Sequence, residues 1–375
     1  MRISENILIS SLTTMRLGGP AKYVIEVEQP SEIPEAYSFA ATNGLPTFIL
    51  GYGANTIGHD EGFNGVIIIN RMRGITEEGN TWAGDASNNS LSEGVADMEG
   101  FPRSSRREEP WEGNVRQDPL HIIKVMGGEY WDDVVAYACE RGLTGIEALS
   151  RIPGLTAAAP VQNIGAYGQE IADTLDSIEA YDTTAGTFVT LTKADLQFSY
   201  RHSILNTTKQ GRYFVISITL NLKPGQMPRP FYNSIEHYID EHQITDFSPA
   251  SIRAIVSAIR ASKLPDPADK ASAGSFFKNI YLNDAEADIA ESKGYPIYRS
   301  KNGNKLNSAW LIEQAGLKGQ LLHGIRVSDQ APLVLINESA TSYTDLAAAR
   351  TEIVNKVYDK FGYWLEQEPV EITNK

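Results

Sequence analysis

One cysteine in 375 residues, Cys139, has no partner for an internal disulfide and cannot build a cysteine-rich metal site. It lies in Val134-Val135-Ala136-Tyr137-Ala138-Cys139, an apolar face with helical spacing, where a buried thiol is expected. Histidine is also scarce. Six are scattered along the chain, and His237 and His242 sit five apart among charged residues, the pattern of a solvated helix face. No metal site is expected. Apolar runs approaching the roughly 18 residues that span a bilayer are missing. Met1-Arg2-Ile3-Ser4-Glu5-Asn6 lacks the apolar core and small-residue cleavage site of a signal peptide, so the cytoplasm is the simplest address and no membrane partner is expected. Basic residues are outnumbered 33 to 47, for a net charge of −14. That balance argues against general nucleic-acid binding, which needs a basic footprint. An anionic small molecule stays compatible where local cations and backbone donors overcome the overall field.

What is present is ordinary for a globular chain: 42% hydrophobic and 21% charged residues. The length suggests two or three domains of about 100–200 residues with sizeable cores. Residues 1–74 alternate short strands with one helix. Ala21-Lys22-Tyr23-Val24-Ile25-Glu26-Val27 alternates as a strand should, and residues 30–43 read as a helix with Ser31 at its start. Thr47-Phe48-Ile49-Leu50 then runs into Gly51-Tyr52-Gly53-Ala54-Asn55-Thr56-Ile57-Gly58, and Gly65-Val66-Ile67-Ile68-Ile69-Asn70 closes the unit. Glycines after a strand let consecutive backbone N–H groups approach a phosphate. The loop does not follow the dinucleotide fingerprint, because the third glycine comes only at Gly58 and no helix follows. A glycine-rich tight turn explains it equally well.

Residues 85–119 read as a surface excursion, rich in polar pairs such as Arg106-Arg107-Glu108-Glu109, with Trp111 either pinning it down or marking a partner contact. A strand at 121–126 and a helix at about 129–141, ended by Gly142, restore order. Residues 145–170 are dense in glycines, amides and small side chains. They suit either a backbone pressed against a flat, polar-edged ligand or close packing between domains. A strand pair at 176–181 and 187–191 leads to Phe198-Ser199-Tyr200-Arg201-His202-Ser203. Arginine can grip a carboxylate through two parallel hydrogen bonds, although an exposed strand-end arginine is the commoner fate. Phe231-Tyr232 precede a short helix-like stretch, and residues 251–262 form an amphipathic helix ending in the turn Lys263-Leu264-Pro265-Asp266-Pro267.

Ala273-Gly274-Ser275-Phe276-Phe277-Lys278-Asn279 places one hydroxyl between small residues and bulky aromatics, with a cation and an amide just after. Gly274 permits conformations that a Cβ forbids, and the phenylalanines can exclude water, which strengthens polar contacts. A serine capping a turn at a strand start is the plain alternative. Beyond it, residues 306–316 read as a helix, 331–337 as a buried strand, 344–361 as a long amphipathic helix and 363–368 as a final strand. No internal repeat is visible.

Taken in order, the stretches 13–20, 50–55, 152–170, 200–203, 263–267, 273–279, 310–319, 330–337 and 364–368 resemble the UDP-N-acetylenolpyruvoylglucosamine reductase family, flavoenzymes of bacterial cell-wall precursor synthesis. Each stretch is weak alone; their order across nearly the whole chain outside 80–119 is specific. The resemblance implies an α+β fold. A two-lobed FAD-binding region of the vanillyl-alcohol-oxidase (PCMH) type would span 1–74 and 75–264, the second lobe carrying the inserted segment. A smaller α+β substrate-binding domain would span 265–362, and a C-terminal strand at 363–375 would return to the FAD-binding region. The resemblance further implies noncovalent FAD held by Gly51, Tyr52, Gly53, Ala54, Asn55, Ile152, Pro153, Gly154, Asn163, Gly165, Ala166, Tyr167 and Gly168.

NADPH would reduce the flavin and leave, and UDP-N-acetylglucosamine enolpyruvate would then enter the same cleft. A hydride goes to its terminal vinyl carbon and a proton to the neighbouring carbon. Arg201 matches the residue facing the charge that develops on the substrate carboxylate. Ser275 matches the proton donor, which can act only if fixed within hydrogen-bond reach of a strongly basic carbon. Glu368 matches an assisting carboxyl that is at least partly protonated. Under strict alternation Glu366 shares its strand face, and the resemblance favours Glu368. Lys263, Asn279, Tyr232 and Gln330 match substrate-binding positions, Tyr232 on a loop found in one of two subtypes. A monomer is implied. Two departures stand out: Tyr52 is unusual in its loop, and Pro369-Val370-Glu371 follow Glu368 where an arginine near the flavin is expected. The rival readings are a flavin oxidase or dehydrogenase with another substrate, and a sugar-nucleotide-binding protein that has lost its flavin.

Overall fold

The computed structural model describes residues 1–81, 120–300 and 303–374; the predicted excursion at 85–119 lies outside them. The first sheet runs in the order Arg2–Leu8, Pro20–Val27, Phe63–Asn70, Thr47–Leu50. The first pair is antiparallel and the other two are parallel. Parallel neighbours need a crossover, supplied here by the helix Glu32–Thr42. The Val66–Ile69 run is apolar on both faces because its strand is central and covered on both sides. Val66 and Ile68 pack with Ile33, Ala36 and Ala40 of the helix, while Ile67 and Ile69 pack with Ile9 and Leu50 opposite. The N-terminal strand Arg2–Leu8 carries little apolar alternation and was not expected from sequence.

A larger antiparallel sheet follows, in the order Thr187–Thr192, Leu175–Asp182, Tyr213–Pro224, Leu120–Met126, Ile75–Thr81. Its central member, Tyr213–Pro224, and its edge strand Ile75–Thr81 are the two that local patterning did not single out. The helix Trp131–Glu140 covers one face through Trp131, Val134, Val135 and Ala138. Cys139 is buried on this helix, and burial, then Glu147, pushes its thiol up to about 12. Two further helices, Asn233–His242 and Pro249–Lys263, share a small core of Ile235, Ile239, Ile252, Val256 and Ile259. Arg253 joins them to the sheet's helix through a bidentate pair with Asp132 at 2.6 and 2.9 Å.

The remaining unit holds one sheet of Ser272–Ser275, Val334–Asn337, Ile325–Val327 and Leu321–Leu322. A second contains Ile280–Leu282, Gly303–Leu306 and Ile297–Ser300. The helix expected at 306–316 is shorter, Ser308–Gln314, because Leu306 ends a strand and the Asn307 side chain caps Ala309 N–H at 2.9 Å. The strand expected at 331–337 begins only at Val334. Leu333 instead sits in a turn whose carbonyl accepts from Phe276 N–H at 2.7 Å. The long helix Tyr343–Phe361 has a capping box between Ser342 and Asp345 and ends at Gly362 with φ +77°.

Residues 363–368 do not form the expected final strand. Their backbone pairs with the rest of the chain through one bridge, Phe277 with Gln367, flanked by Lys278 N–H to Glu366 O and Glu368 N–H to Phe276 O, both 2.9 Å. Pro369 has no N–H with which to continue a ladder. The tail then forms Val370–Ile372, which makes a separate two-stranded parallel sheet with Thr56–Gly58, in the loop region after the first sheet's strand Thr47–Leu50. Residues from the connections of the N-terminal unit reach back: Met15, Leu17 and Ile57 lie in the same core as Phe276 and Phe277.

The tail strand is anchored by Glu371. Arg350 (2.7 Å), His59 (2.9 Å), Tyr343 (2.9 Å) and Gln367 (3.2 Å) surround its carboxylate. Burial alone would raise its pKa, but hydrogen bonds from His59, Gln367, Tyr343 and Arg350 outweigh that and hold it down to about 2. A depressed carboxylate stabilises the fold above its unfolded pKa, and that stabilisation is lost as pH falls toward the folded value. Glu371→Gln is therefore expected to lower the melting temperature by a few degrees at pH 7. It should also flatten the decline between about pH 4.5 and pH 3, as thermal melts across that range will show.

Candidate active site

Arg201 occupies a two-residue turn closed by mutual backbone hydrogen bonds between Ser199 and His202, both 3.0 Å. Its φ is +57°, a left-handed conformation that costs a non-glycine residue and persists only when its surroundings enforce it. The surroundings are explicit. The Asn206 amide donates to Arg201 O at 3.0 Å and its oxygen accepts from Ser203 N–H at 2.9 Å. Ser203 Oγ accepts from Leu205 N–H at 3.1 Å and donates to Val161 O at 2.7 Å. So held, the guanidinium donates from Nη2 to Gly165 O at 3.0 Å and lies with Nε 3.3 Å from Glu368 Oε1. A Cβ at Gly165 would meet Arg201 Nη1 at 3.3 Å and Glu170 Cγ at 3.0 Å, so a glycine is needed there for close approach.

Glu368 and Glu366 have different environments. The Glu368 side chain is 10% exposed and the Glu366 side chain 72% exposed, the latter paired with Lys278 at 2.6 Å. Burial raises the Glu368 carboxyl above the ordinary range, against the lowering influence of Arg201 and Lys278. The shared strand face expected for the two acids does not arise, because the segment is not a strand.

Ser275 ends the strand Ser272–Ser275, where the register is irregular and Gly274 takes φ +68°. The serine is exposed, while the next residue, Phe276, is buried and holds Glu368 N–H through its carbonyl. Phe276 and Phe277 are packed edge to face at 5.1 Å. Fully burying two such rings contributes about 2 kcal/mol or more each. Asn279 accepts from Ser308 N–H at 3.2 Å and donates to the Tyr200 hydroxyl at 3.4 Å, next to Arg201. Tyr232 packs edge to face on Tyr167 at 5.9 Å. Lys263, at the end of its helix, and Gln330, in the turn before Leu333, are both exposed. Neither side chain makes a hydrogen bond or ion pair among the described residues.

The glycine loop lies beside the same tail. Asn55 donates to Gln162 Oε1 at 3.0 Å and to Glu368 O at 3.5 Å, and Asn55 O accepts from Val370 N–H at 3.0 Å. Gly53 takes φ +77°, and a Cβ there would sit 2.1 Å from Leu12 O, so this glycine answers to the chain's own packing. The backbone N–H groups of Tyr52, Gly53, Ala54 and Asn55 donate to nothing among the described residues. Consecutive free N–H groups in such a loop form an anion-binding concavity. Across from it, Gly154 O accepts from Trp131 N–H at 3.0 Å, following Ile152 and Pro153. Asn163 is buried with φ +47°, donating to Glu170 at 2.8 Å and Ser199 O at 3.2 Å. Gly165–Ala166 pairs back on Gln169–Glu170 through Tyr167 (φ +47°) and Gly168 (φ +87°).

A family model described as UDP-N-acetylenolpyruvoylglucosamine reductase, C-terminal domain, matches residues 266–372, and one described as FAD binding domain matches residues 109–192. The chain is 33% identical to the UDP-N-acetylenolpyruvoylglucosamine reductase of Ralstonia nicotianae, covering 96% of both sequences. It is 31% identical to that of Pasteurella multocida, over 95% of this chain and 93% of the relative. The chain belongs to the UDP-N-acetylenolpyruvoylglucosamine reductase family. Its fold matches the solved reductase of Thermus caldophilus with a TM-score of 0.62 at 23% identity, each chain covered in full.

Within this family fold, sequence reasoning passed over Arg260. It lies on the helix Pro249–Lys263, one residue after Ile259 and four after Val256, both in the helix core. Burial lowers its pKa, and its side-chain partner is the Tyr167 hydroxyl. No carboxylate pairs with it among the described residues. An arginine at an inward-facing helical position was the available signal. Tyr281 was also passed over; burial, then Tyr200, pushes its hydroxyl up to about 12.

Because Arg201 opposes the rise in the Glu368 pKa, removing it has a definite sign. Arg201→Met should raise the Glu368 titration midpoint further, as read by carboxyl ¹³C NMR. A midpoint that stays put or falls would show that the pair is uncoupled.

Proposed function

We propose that this chain reduces UDP-N-acetylglucosamine enolpyruvate to UDP-N-acetylmuramate, with FAD as the noncovalent cofactor, NADPH as the reductant and Ser275 as the proton donor. The observation that carries this reading is a buried carboxyl, Glu368, set against a strained and fully braced Arg201, one backbone step across from Ser275. Lobes at 1–74 and 75–264, a substrate domain at 265–362 and the tail at 363–375 are the division of labour we adopt. No helix of the described residues is long and apolar enough to cross a membrane; we place the enzyme in the cytoplasm as a monomer.

The free N–H groups of residues 52–55 suit the cofactor diphosphate, with Arg260 and Tyr167 as candidate neighbours on the opposite wall. Bound there, FAD would supply the hydride chemistry that links NADPH to the terminal vinyl carbon of the substrate. The chain's own residues handle the resulting charge. Negative charge spreads into the substrate carboxylate, and the preorganised guanidinium of Arg201 faces it without reorganising. Its contact with Glu368, at 3.3 Å, is longer than the usual 2.7–2.9 Å of a charge-assisted bond. Arg201 is thus not locked to Glu368. With burial favouring the neutral carboxyl, Glu368 can donate a hydrogen bond where an ionised acid would repel the charge. Ser275 gives its proton to the neighbouring carbon, its backbone held from behind by the buried Phe276 and Phe277. Lys263, Asn279, Tyr232 and Gln330 are assigned to the nucleotide-sugar diphosphate.

Ser275→Ala should leave NADPH-driven flavin reduction nearly intact and slow substrate-driven flavin reoxidation by several orders of magnitude. Anaerobic stopped-flow absorbance separates the two half-reactions, and equal loss in both would remove Ser275 from the role of acid. Purified protein without flavin absorbance would sink the whole reading. A second expectation follows from the sign of the Glu368 shift. Substrate-driven reoxidation should fall as pH rises through the elevated Glu368 pKa, and Glu368→Gln, neutral throughout, should lose that limb of the profile while NADPH-driven reduction is unaffected.

A further inference from the structure

One corner of the cleft is left unused by the chemistry above. Tyr52, in the glycine loop, and Tyr130, just before the helix Trp131–Glu140, are 42% and 41% exposed and belong to none of the buried cores. Their rings meet edge to face, with centroids 5.8 Å apart and planes at 85°. Arg73, in the connector between the two lobes, places its guanidinium carbon 4.5 Å from the Tyr130 ring centroid. It is held there by Glu129, whose Oε2 lies 3.0 Å from Arg73 Nη1 and whose Oε1 accepts from Gly74 N–H at 2.7 Å. Tyr130 is itself fixed by a bridge to Leu155, beside Gly154.

Large aromatic side chains left out of the core and braced by a cation form a wall for a flat ring. The loop's polarity indicates which ring. At one end, Asn55 touches Glu368 and Gln162, so the reacting ring of a dinucleotide belongs there. Tyr52 lies at the other end, at the start of the run of free N–H groups that suit the diphosphate, and its partner comes from the second lobe. We propose that Tyr52 and Tyr130 form the adenine slot of the cofactor site, with Arg73 bracing Tyr130 from behind. The assignment rests on the FAD reading above and adds to it the residues that choose a dinucleotide over a mononucleotide. It also gives a purpose to the tyrosine whose presence in the loop was unexpected.

The test compares FAD with FMN, which lacks the adenylate half, by calorimetric titration of the deflavinated full-length protein. Tyr52→Ala and Tyr130→Ala should each weaken FAD about tenfold, the effect of losing one aromatic–base stack, and leave FMN affinity within twofold. Tyr130→Phe, which keeps the ring, should retain FAD affinity. Unchanged FAD affinity in both alanine variants would overturn the proposal. So would parallel losses for FAD and FMN, which would mean that the loop itself had collapsed, or an effect confined to the KM for NADPH, which would assign the slot to the reductant. A parent protein that binds neither flavin would remove the cofactor reading itself and is thereby distinguishable.

Discussion

Everything at the active site depends on how the C-terminal tail is threaded. Two backbone hydrogen bonds, Lys278 N–H to Glu366 O and Glu368 N–H to Phe276 O, fix the tail against the strand that ends in Ser275. One residue later Pro369 ends that pairing, and Val370 N–H takes up Asn55 O in the glycine loop. Glu368 is therefore positioned by both neighbours at once, and neither can shift without the other. The N-terminal segment closes the arrangement from below. Thr14 N–H donates to Gly53 O at 3.1 Å, and Ser272 N–H donates to Thr14 O at 3.0 Å, so loop and serine strand share one anchor. A geometry that must hold within a fraction of an ångström is thus built from rigid main-chain contacts.

The electrostatic arrangement follows from that geometry. A chain of net charge −14 must still present positive potential to an anionic substrate. It does so with few cations, each restrained. Arg201 is locked by its turn, by Asn206 and by Gly165 O; Lys278 is tied to Glu366; and Arg260 is buried without a carboxylate. Glu368, the acid beside Arg201, is driven toward neutrality by burial, so it does not cancel the field. An exposed, ionised carboxylate in the position of Glu368 would instead neutralise Arg201.

Much of this was legible in the sequence because the relevant signals are local. The strand pair at 176–191 and the long C-terminal helix are each set by short-range patterns, while the Ser275 and Arg201 stretches and the glycine loop draw their reading from their order along the chain. What escaped depended on distant partners. Tyr213–Pro224 becomes the centre of its sheet only through strands that lie on both sides of it in space. Residues 363–368 alternate like a strand, yet have one short bridge to pair with before Pro369 intervenes. The glycine loop reads equally as a phosphate cradle or a tight turn, and the structure shows why Gly53 and Gly58 are glycines: the space a Cβ would need is filled by Leu12–Thr13 and by Ile9 and Gly18 respectively. Arg260 hid inside an amphipathic pattern that is otherwise apolar on its inner face.

The tail also accounts for its own departure from expectation. An arginine was expected soon after Glu368, and this chain has Glu371 near that point, gripped by Arg350, His59, Tyr343 and Gln367. A carboxylate with four donors cannot take over the task of a cation. Its strong hold instead fixes the strand Val370–Ile372 onto Thr56–Gly58, and with it the end of the tail on which Glu368 sits. Arg350 is the cation brought to this place, and it is committed to Glu371 and Gln367 rather than free to face the cleft. The structure thus uses the end of the chain for anchorage, and the cations left beside Glu368 are Arg201 and Lys278.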